Sequence, residues 1–193
     1  MNFMSFDTRA QNSAMTHFDR HPSFWLFGYG SLIWKADFPF IERRPAWIHG
    51  WARRFWQGSH DHRGTPEAPG RVATLVREPG ALCHGMAYRI EPAVLAQLDL
   101  REKNGYLRER VAVQFEGGAA EDGLIYLATE HNAAFLGAAP LAEMAAQIAG
   151  AHGPSGSNRD YLLKLAEALA SQGVHDEHVT GLATLLPPVE GEC

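Results

Sequence analysis

Two short stretches of this chain carry residue types able to do chemistry. The first is Phe27-Gly28-Tyr29-Gly30-Ser31-Leu32, where two glycines bracket a tyrosine at the end of an apolar run. Glycines at a strand end let the main chain bend sharply and expose consecutive N–H groups, which can hold a carboxylate or an oxyanion. The spacing is not a dinucleotide fingerprint, because Ile33 stands at the third glycine position and no βαβ unit follows. On pattern alone an ordinary tight turn is the simpler account.

The second is Glu102. At about 100° per residue on a helix, it falls within roughly 40° of both Leu95 and Leu98. An apolar helix face therefore runs into a carboxylate at its last turn. Such a group must be paired, hydrogen-bonded or raised in pKa. Asp99 and Lys103 are four apart and can pair on another face, which suits solvent. The alternative for Glu102 is a partly exposed helix end tied to Arg101 or Arg108, and the residues alone leave both readings standing.

Other combinations are weaker. Cys83-His84 looks like a nucleophile beside its base, but strand neighbours point to opposite faces, so Cys83 reads as core. His60-Asp61-His62 sets two imidazoles two residues apart in a glycine-rich loop without an obvious third ligand, so no metal site is expected. Trp51, Arg53, Arg54, Phe55 and Trp56 mix bases with aromatics as single-strand nucleic-acid surfaces do. Half-buried strand packing is the simpler account.

The elements that must position these residues follow from periodicity and punctuation. Residues 24–30 read as a strand entering a tight turn, and residues 46–57 as a second strand with one polar and one aromatic side. A turn-rich stretch fills 58–70. Residues 71–77 and 82–90 read as two strands separated by Glu78-Pro79-Gly80. Glu91-Pro92 opens a helix that Asn104-Gly105 closes. Strands are expected over 107–115 and 124–129, then helices over 141–149, 158–171 and roughly 176–186. A β-rich first half followed by a helical end makes an α+β fold rather than alternating βαβ units.

At 193 residues, one compact domain is the default. Residues 24–186 are assigned to it, 1–23 to a flexible N-terminal extension and 187–193 to a C-terminal tail. Residues 1–21 lack the apolar run of roughly 7–15 residues that a signal peptide requires, and Met4 or Met15 could serve as the start. The extension is expected to carry no chemistry. No stretch approaches the roughly 18 apolar residues of a membrane span. The net charge of −5 gives no global attraction to nucleic acid or anionic membrane. Cys83 and Cys193 make no disulfide framework, which fits a reducing cytoplasm.

Several long strings in this chain closely resemble the ChaC family of glutathione-specific γ-glutamylcyclotransferases. They are FGYGSLIWKADFPF from Phe27, RRFWQGSHDHRGTPEAPGRVATLV from Arg53, GMAYR from Gly85, LDLREKNGY from Leu98, FLGAAPL from Phe135 and GPSGSNRDYL from Gly153. The likeness spans about residues 24–178. It leaves out the N-terminal extension, the loop near 117–123 and the C-terminal tail.

The resemblance implies a γ-glutamylcyclotransferase-like fold, a small mixed β-barrel flanked by helices. It implies an enzyme that cyclises the γ-glutamyl group of reduced glutathione, releasing 5-oxoproline and Cys-Gly without a cofactor. Leu26, Phe27, Gly28, Tyr29, Gly30 and Ser31 would cradle the γ-glutamyl group, Glu102 would accept the proton, and Tyr161 would lie near the substrate. A ligand-binding relative without activity, a metal-dependent hydrolase built on His60 and His62, and an enzyme acting on other γ-glutamyl amines are the rival readings.

Overall fold

The computed structural model describes residues 7–188; Met4, Cys193 and the C-terminal tail beyond Pro188 lie outside them. In chain order the elements are α1 (Arg9–Ser13), β1 (Phe24–Gly28), β2 (Glu42–Ser59), β3 (Gly70–Ile90), α2 (Leu95–Arg101), β4 (Tyr106–Val113) and β5 (Glu121–Ala128). They continue with α3 (Leu141–Gly150), the two-residue strands β6 (His152–Gly153) and β7 (Gly156–Ser157), α4 (Asn158–Ser171) and α5 (Glu177–Thr184). Single 3-10 turns lie after β1 at Ser31–Ile33 and directly before α2 at Pro92–Val94. Among the described residues no helix is long and apolar enough to cross a membrane.

The chain forms two compact units. One holds the residues up to Arg53 together with Thr74–Phe135, and the other holds Arg54–Ala73 and the residues from Leu136 onward. The five long strands form a sheet in the order β2-β3-β1-β5-β4. In the first unit β1 lies antiparallel to β3 and parallel to β5, with β4 antiparallel outside β5. The fold is therefore α+β with a mixed sheet. The implied barrel is not closed by a continuous ladder: β2 meets the β4 end at one bridge, Trp47 with Gln114, through hydrogen bonds of 3.1 and 2.9 Å. Beyond Gln114 the chain turns away at Gly117, whose φ of +69° favours glycine, so further pairing there is lost.

Two expectations about strands change. Glu78-Pro79-Gly80 does not separate two strands. Gly80 takes φ +81° inside one 21-residue strand, with the 18-residue β2 as its sheet neighbour. A long neighbour supplies ladder partners that override a local turn preference. In β2, Trp51, Arg53 and Phe55 are all buried, so the polar and aromatic residues are not segregated by side. Strand alternation puts every second residue on one face whatever its type.

The core of the first unit gathers Leu26 from β1, Tyr88 and Ile90 from β3, Leu95 and Leu98 from α2, and Leu124 from β5. The residues ahead of Phe24, read from sequence as a flexible extension, form α1 and bury Thr8, Asn12 and Phe18, with Phe18 stacked 4.4 Å from Phe24.

In the second unit α3 packs with α4 and α5. Ser157 Oγ caps α4 by accepting from the Asp160 N–H, and Asp176 Oδ1 caps α5 by accepting from the Val179 N–H. The Gly153-Pro154-Ser155-Gly156 break is the turn of the small β6–β7 hairpin.

Candidate active site

Strand β1 ends in the glycine-bracketed segment. Leu26 and Phe27 bury their side chains completely in the core, and their main chain is paired within the sheet. Pairing with β3 runs through Gly28 opposite Met86 and then stops. Gly28 is required by packing: a Cβ there would sit 2.6 Å from Leu32 Cβ. Gly85 on β3 is excluded from carrying a side chain in the same way, since its Cβ would fall 2.2 Å from the Gly28 carbonyl oxygen.

Tyr29 is fastened at both ends. Its hydroxyl donates to the Tyr126 carbonyl at 2.6 Å, and its own carbonyl accepts from the buried Arg53 Nε at 2.7 Å. Gly30 and Ser31 follow with their carbonyls directed into the 3-10 turn, accepting from the N–H groups of Ile33, Trp34 and Lys35. Among the described residues their own N–H groups make no hydrogen bond. Gly30 has φ −127°, so a left-handed main chain is not its reason for being glycine.

Glu102 occupies the position just past the end of α2, with its N–H still donating to the Leu98 carbonyl at 2.8 Å. Its side chain is 17% exposed, as its angular position beside the buried Leu95 and Leu98 requires. Burial pushes its carboxyl up to about 7; the neighbouring Arg101 opposes this and Asp37 adds to it. Desolvation outweighs the guanidinium because the charged form must give up water for a single cationic neighbour.

Arg101 joins the two stretches singled out from sequence. Its Nη2 donates to Ser31 Oγ at 3.1 Å, and its Nε lies 3.3 Å from Glu102 Oε1. Nη1 binds Asp37 Oδ1 and also reaches the Lys35 carbonyl at 3.3 Å. Asp37 is further held through its carbonyl, which accepts from Gln97 Nε2 at 2.8 Å. The arrangement sets a largely desolvated carboxyl, a guanidinium, a hydroxyl and two unengaged N–H groups in one chain of contacts. It has the parts for proton abstraction beside a site for a negatively charged oxygen.

The expectation for Asp99 is overturned. It is buried, accepts from Arg108 Nε at 2.9 Å and Nη2 at 2.5 Å, and accepts from the Tyr126 hydroxyl at 2.7 Å. It does not pair with Lys103 on a solvent face. The sequence did carry the signal: Asp99 lies four residues after Leu95, about 40° away on the helix. Burial and the adjacent Asp99 push the Tyr126 phenol pKa well up, so it stays a donor.

Tyr161 lies on α4 in the second unit, buried, with its hydroxyl accepting from the Ala73 N–H at 3.2 Å and its ring edge-on to Phe55. Cys83 is buried on β3. His62 contacts Ser155 Oγ at 3.1 Å and Asp61 at 3.9 Å. Among the described residues no group of three or more His, Cys, Asp or Glu side chains could hold a metal ion. Arg101, Asp37 and Arg53 are the contributors that motif reading undervalued; their contacts span 24–70 residues and leave no local pattern.

Residues 24–187 match the family model described as ChaC-like protein, so this chain is a member of the ChaC-like family. Its relatives include Gamma-glutamylcyclotransferase 2-3 of Arabidopsis thaliana, 46% identical over 171 residues, covering 82% of this chain and 86% of that protein. Glutathione-specific gamma-glutamylcyclotransferase 1 of Homo sapiens is 37% identical over 177 residues, covering 84% and 80% respectively. The crystal structure of a γ-glutamyl cyclotransferase specific to glutathione from yeast superposes with a TM-score of 0.78 at 34% identity, covering 86% of this chain and 96% of that one.

Proposed function

We propose that this protein is a glutathione-specific γ-glutamylcyclotransferase acting in the cytoplasm, with Glu102 as the general base. Relatives carrying that name at 37–39% identity over most of the chain support the substrate and reaction. The observation that supports the role of Glu102 is its largely desolvated carboxyl, with a pKa raised to about 7, in contact with Arg101 and through it with Ser31.

The reaction is intramolecular. The γ-glutamyl α-amine attacks its own side-chain carbonyl carbon, a C–N bond closes the five-membered lactam, and the C–N bond to Cys-Gly breaks. Holding both ends of one molecule in attack geometry contributes about 7–11 kcal/mol in favourable cases. An ammonium has no lone pair, so Glu102 takes its proton and then returns one to the departing amide nitrogen. A carboxylate with a pKa near 7 suits both steps at neutral pH, for a gain of about 10²–10⁴-fold.

Leu26, Phe27, Gly28, Tyr29, Gly30 and Ser31 hold the γ-glutamyl group through main chain, since the first two side chains belong to the core. The N–H groups of Gly30 and Ser31, with the Arg101 guanidinium beside them, receive an oxygen bearing negative charge. Tyr161 contributes to substrate binding from α4. Residues 24–186 act as one catalytic domain, and no cofactor enters the reaction.

Incubating the purified protein with reduced glutathione and quantifying products by mass spectrometry tests this reading. Equal amounts of 5-oxoproline and Cys-Gly are expected, unchanged by EDTA. Free glutamate would mean hydrolysis, and binding without consumption would mean a ligand-binding relative. Abolition by EDTA with rescue by zinc or manganese would point to His60 and His62. Faster turnover of other γ-glutamyl amines would reassign the substrate.

A further inference from the structure

The segment ahead of the family-matching region is attached to the loop that carries Glu102. The Thr8 N–H and the Thr8 hydroxyl both donate to the Lys103 carbonyl at 3.0 Å, and Thr8 is fully buried. Asp7 and Asn104 form an antiparallel bridge alongside. One helical turn later, the Asn12 side chain spans the open edge of β4: Nδ2 donates to the Tyr106 carbonyl at 3.0 Å and Oδ1 accepts from the Arg108 N–H at 2.8 Å. Those two bonds imitate a neighbouring strand. Asn12 is only 2% exposed, so each of its polar atoms needs a partner, and these are the partners it has.

Thr8 and Asn12 are themselves linked, because the Asn12 N–H donates to the Thr8 carbonyl at 2.9 Å across α1. The loop from Lys103 to Tyr106 that they hold turns through Gly105 at φ +91°, a residue that leaves the main chain intrinsically free. Arg108 completes the circuit: its Nη1 donates to the Met15 carbonyl at 3.2 Å while its other donors grip Asp99 on α2. Both ends of the loop after Glu102 are thereby tied to residues 8–15, which lie outside the family-matching span of 24–187.

We propose that Thr8 and Asn12 are positioning residues that hold the loop after Glu102, and so the carboxyl itself, in its reactive placement. The inference rests on Glu102 being the base. A misplacement of about 1 Å can cost on the order of 10²-fold in rate, so losing the clamp lowers kcat by about tenfold or more. KM changes little, because neither residue reaches the Gly28–Ser31 segment.

The test uses the full chain with Thr8→Val and Asn12→Leu together, and Thr8→Ser as the conservative control that keeps the hydroxyl. The fold is checked by circular dichroism and Tm. Amide exchange at Arg108 is followed by NMR. Expected are a kcat loss with preserved KM in the double variant, near-normal kcat in Thr8→Ser, and faster Arg108 exchange. If the double variant does not fold, Asn12→Asp makes the same comparison, since it keeps the acceptor for Arg108 but loses the donor to Tyr106. A folded variant with unchanged kcat, or a loss carried by KM alone, overturns the clamp while leaving the base assignment intact. A wild-type protein that forms no 5-oxoproline overturns both.

Discussion

Arg101 Nε lies 3.3 Å from Glu102 Oε1, yet the Glu102 carboxyl is still held up at about 7. A cation this close ordinarily lowers a carboxyl pKa. Here burial outweighs it, partly because Arg101 also serves Asp37 and Ser31. The pair therefore keeps a carboxyl near neutrality while tying it to the glycine-bracketed segment.

Glu102→Gln keeps the shape and an oxygen that can face Arg101 but cannot accept an ammonium proton. Its kcat for 5-oxoproline formation is expected to fall by about 10²-fold or more, with glutathione binding by calorimetry little changed. Retained turnover would move the base elsewhere. Glu109, the next carboxylate along the chain, forms a largely exposed pair with Arg77 at 2.7 Å and is a poorer candidate.

The pH dependence has a defined sign. If Glu102 is the base, as proposed, its protonation below about 7 should make kcat/KM drop about tenfold per pH unit on the acid side. Stability moves the other way. The folded-state pKa is raised from 4.5, so the folded form binds more protons than the unfolded chain, and stability is lost as pH rises from 4.5 through about 7. Relative to wild type, Glu102→Gln should gain up to about 3 kcal/mol at pH 8 and nothing at pH 4. Urea melts at the two pH values measure this; an equal difference at both would refute the raised pKa.

Arg101→Gln removes the cation that lowers the Glu102 pKa. The acid limb of the kcat/KM profile should shift to higher pH, and the Ser31 hydroxyl loses its donor. A profile that stays in place would show that Arg101 does not act on the carboxyl.

Gly28 and Gly30 should separate folding from function. A Cβ at Gly28 meets Leu32 Cβ at 2.6 Å, so Gly28→Ala should lower stability by about 1–3 kcal/mol in a denaturant melt. Gly30→Ala should reduce kcat/KM more than it lowers Tm if the Gly30 and Ser31 N–H groups face the substrate as proposed. Normal kcat/KM in Gly30→Ala would reduce that glycine to a turn residue.

Local periodicity determined a good deal. Punctuation at Glu91-Pro92 and Asn104-Gly105 bracketed the helix that forms over Leu95–Arg101, and the 3.6-residue repeat set Glu102 beside Leu95 and Leu98, because angular position on a helix depends only on sequence spacing. The ChaC-type strings identified the family and with it the mixed sheet. What tertiary structure alone decided lies in contacts between distant residues. Asp99 turns inward because Arg108 and Tyr126 wait there, and β3 runs through Glu78-Pro79-Gly80 because β2 lies beside it. Thr8 and Asn12 are buried because the edge of β4 is open to them. Arg101 reaches Ser31 across 70 positions. Spacing encodes which face of an element a residue occupies, but the partner on that face is supplied by another element, and no local repeat records it.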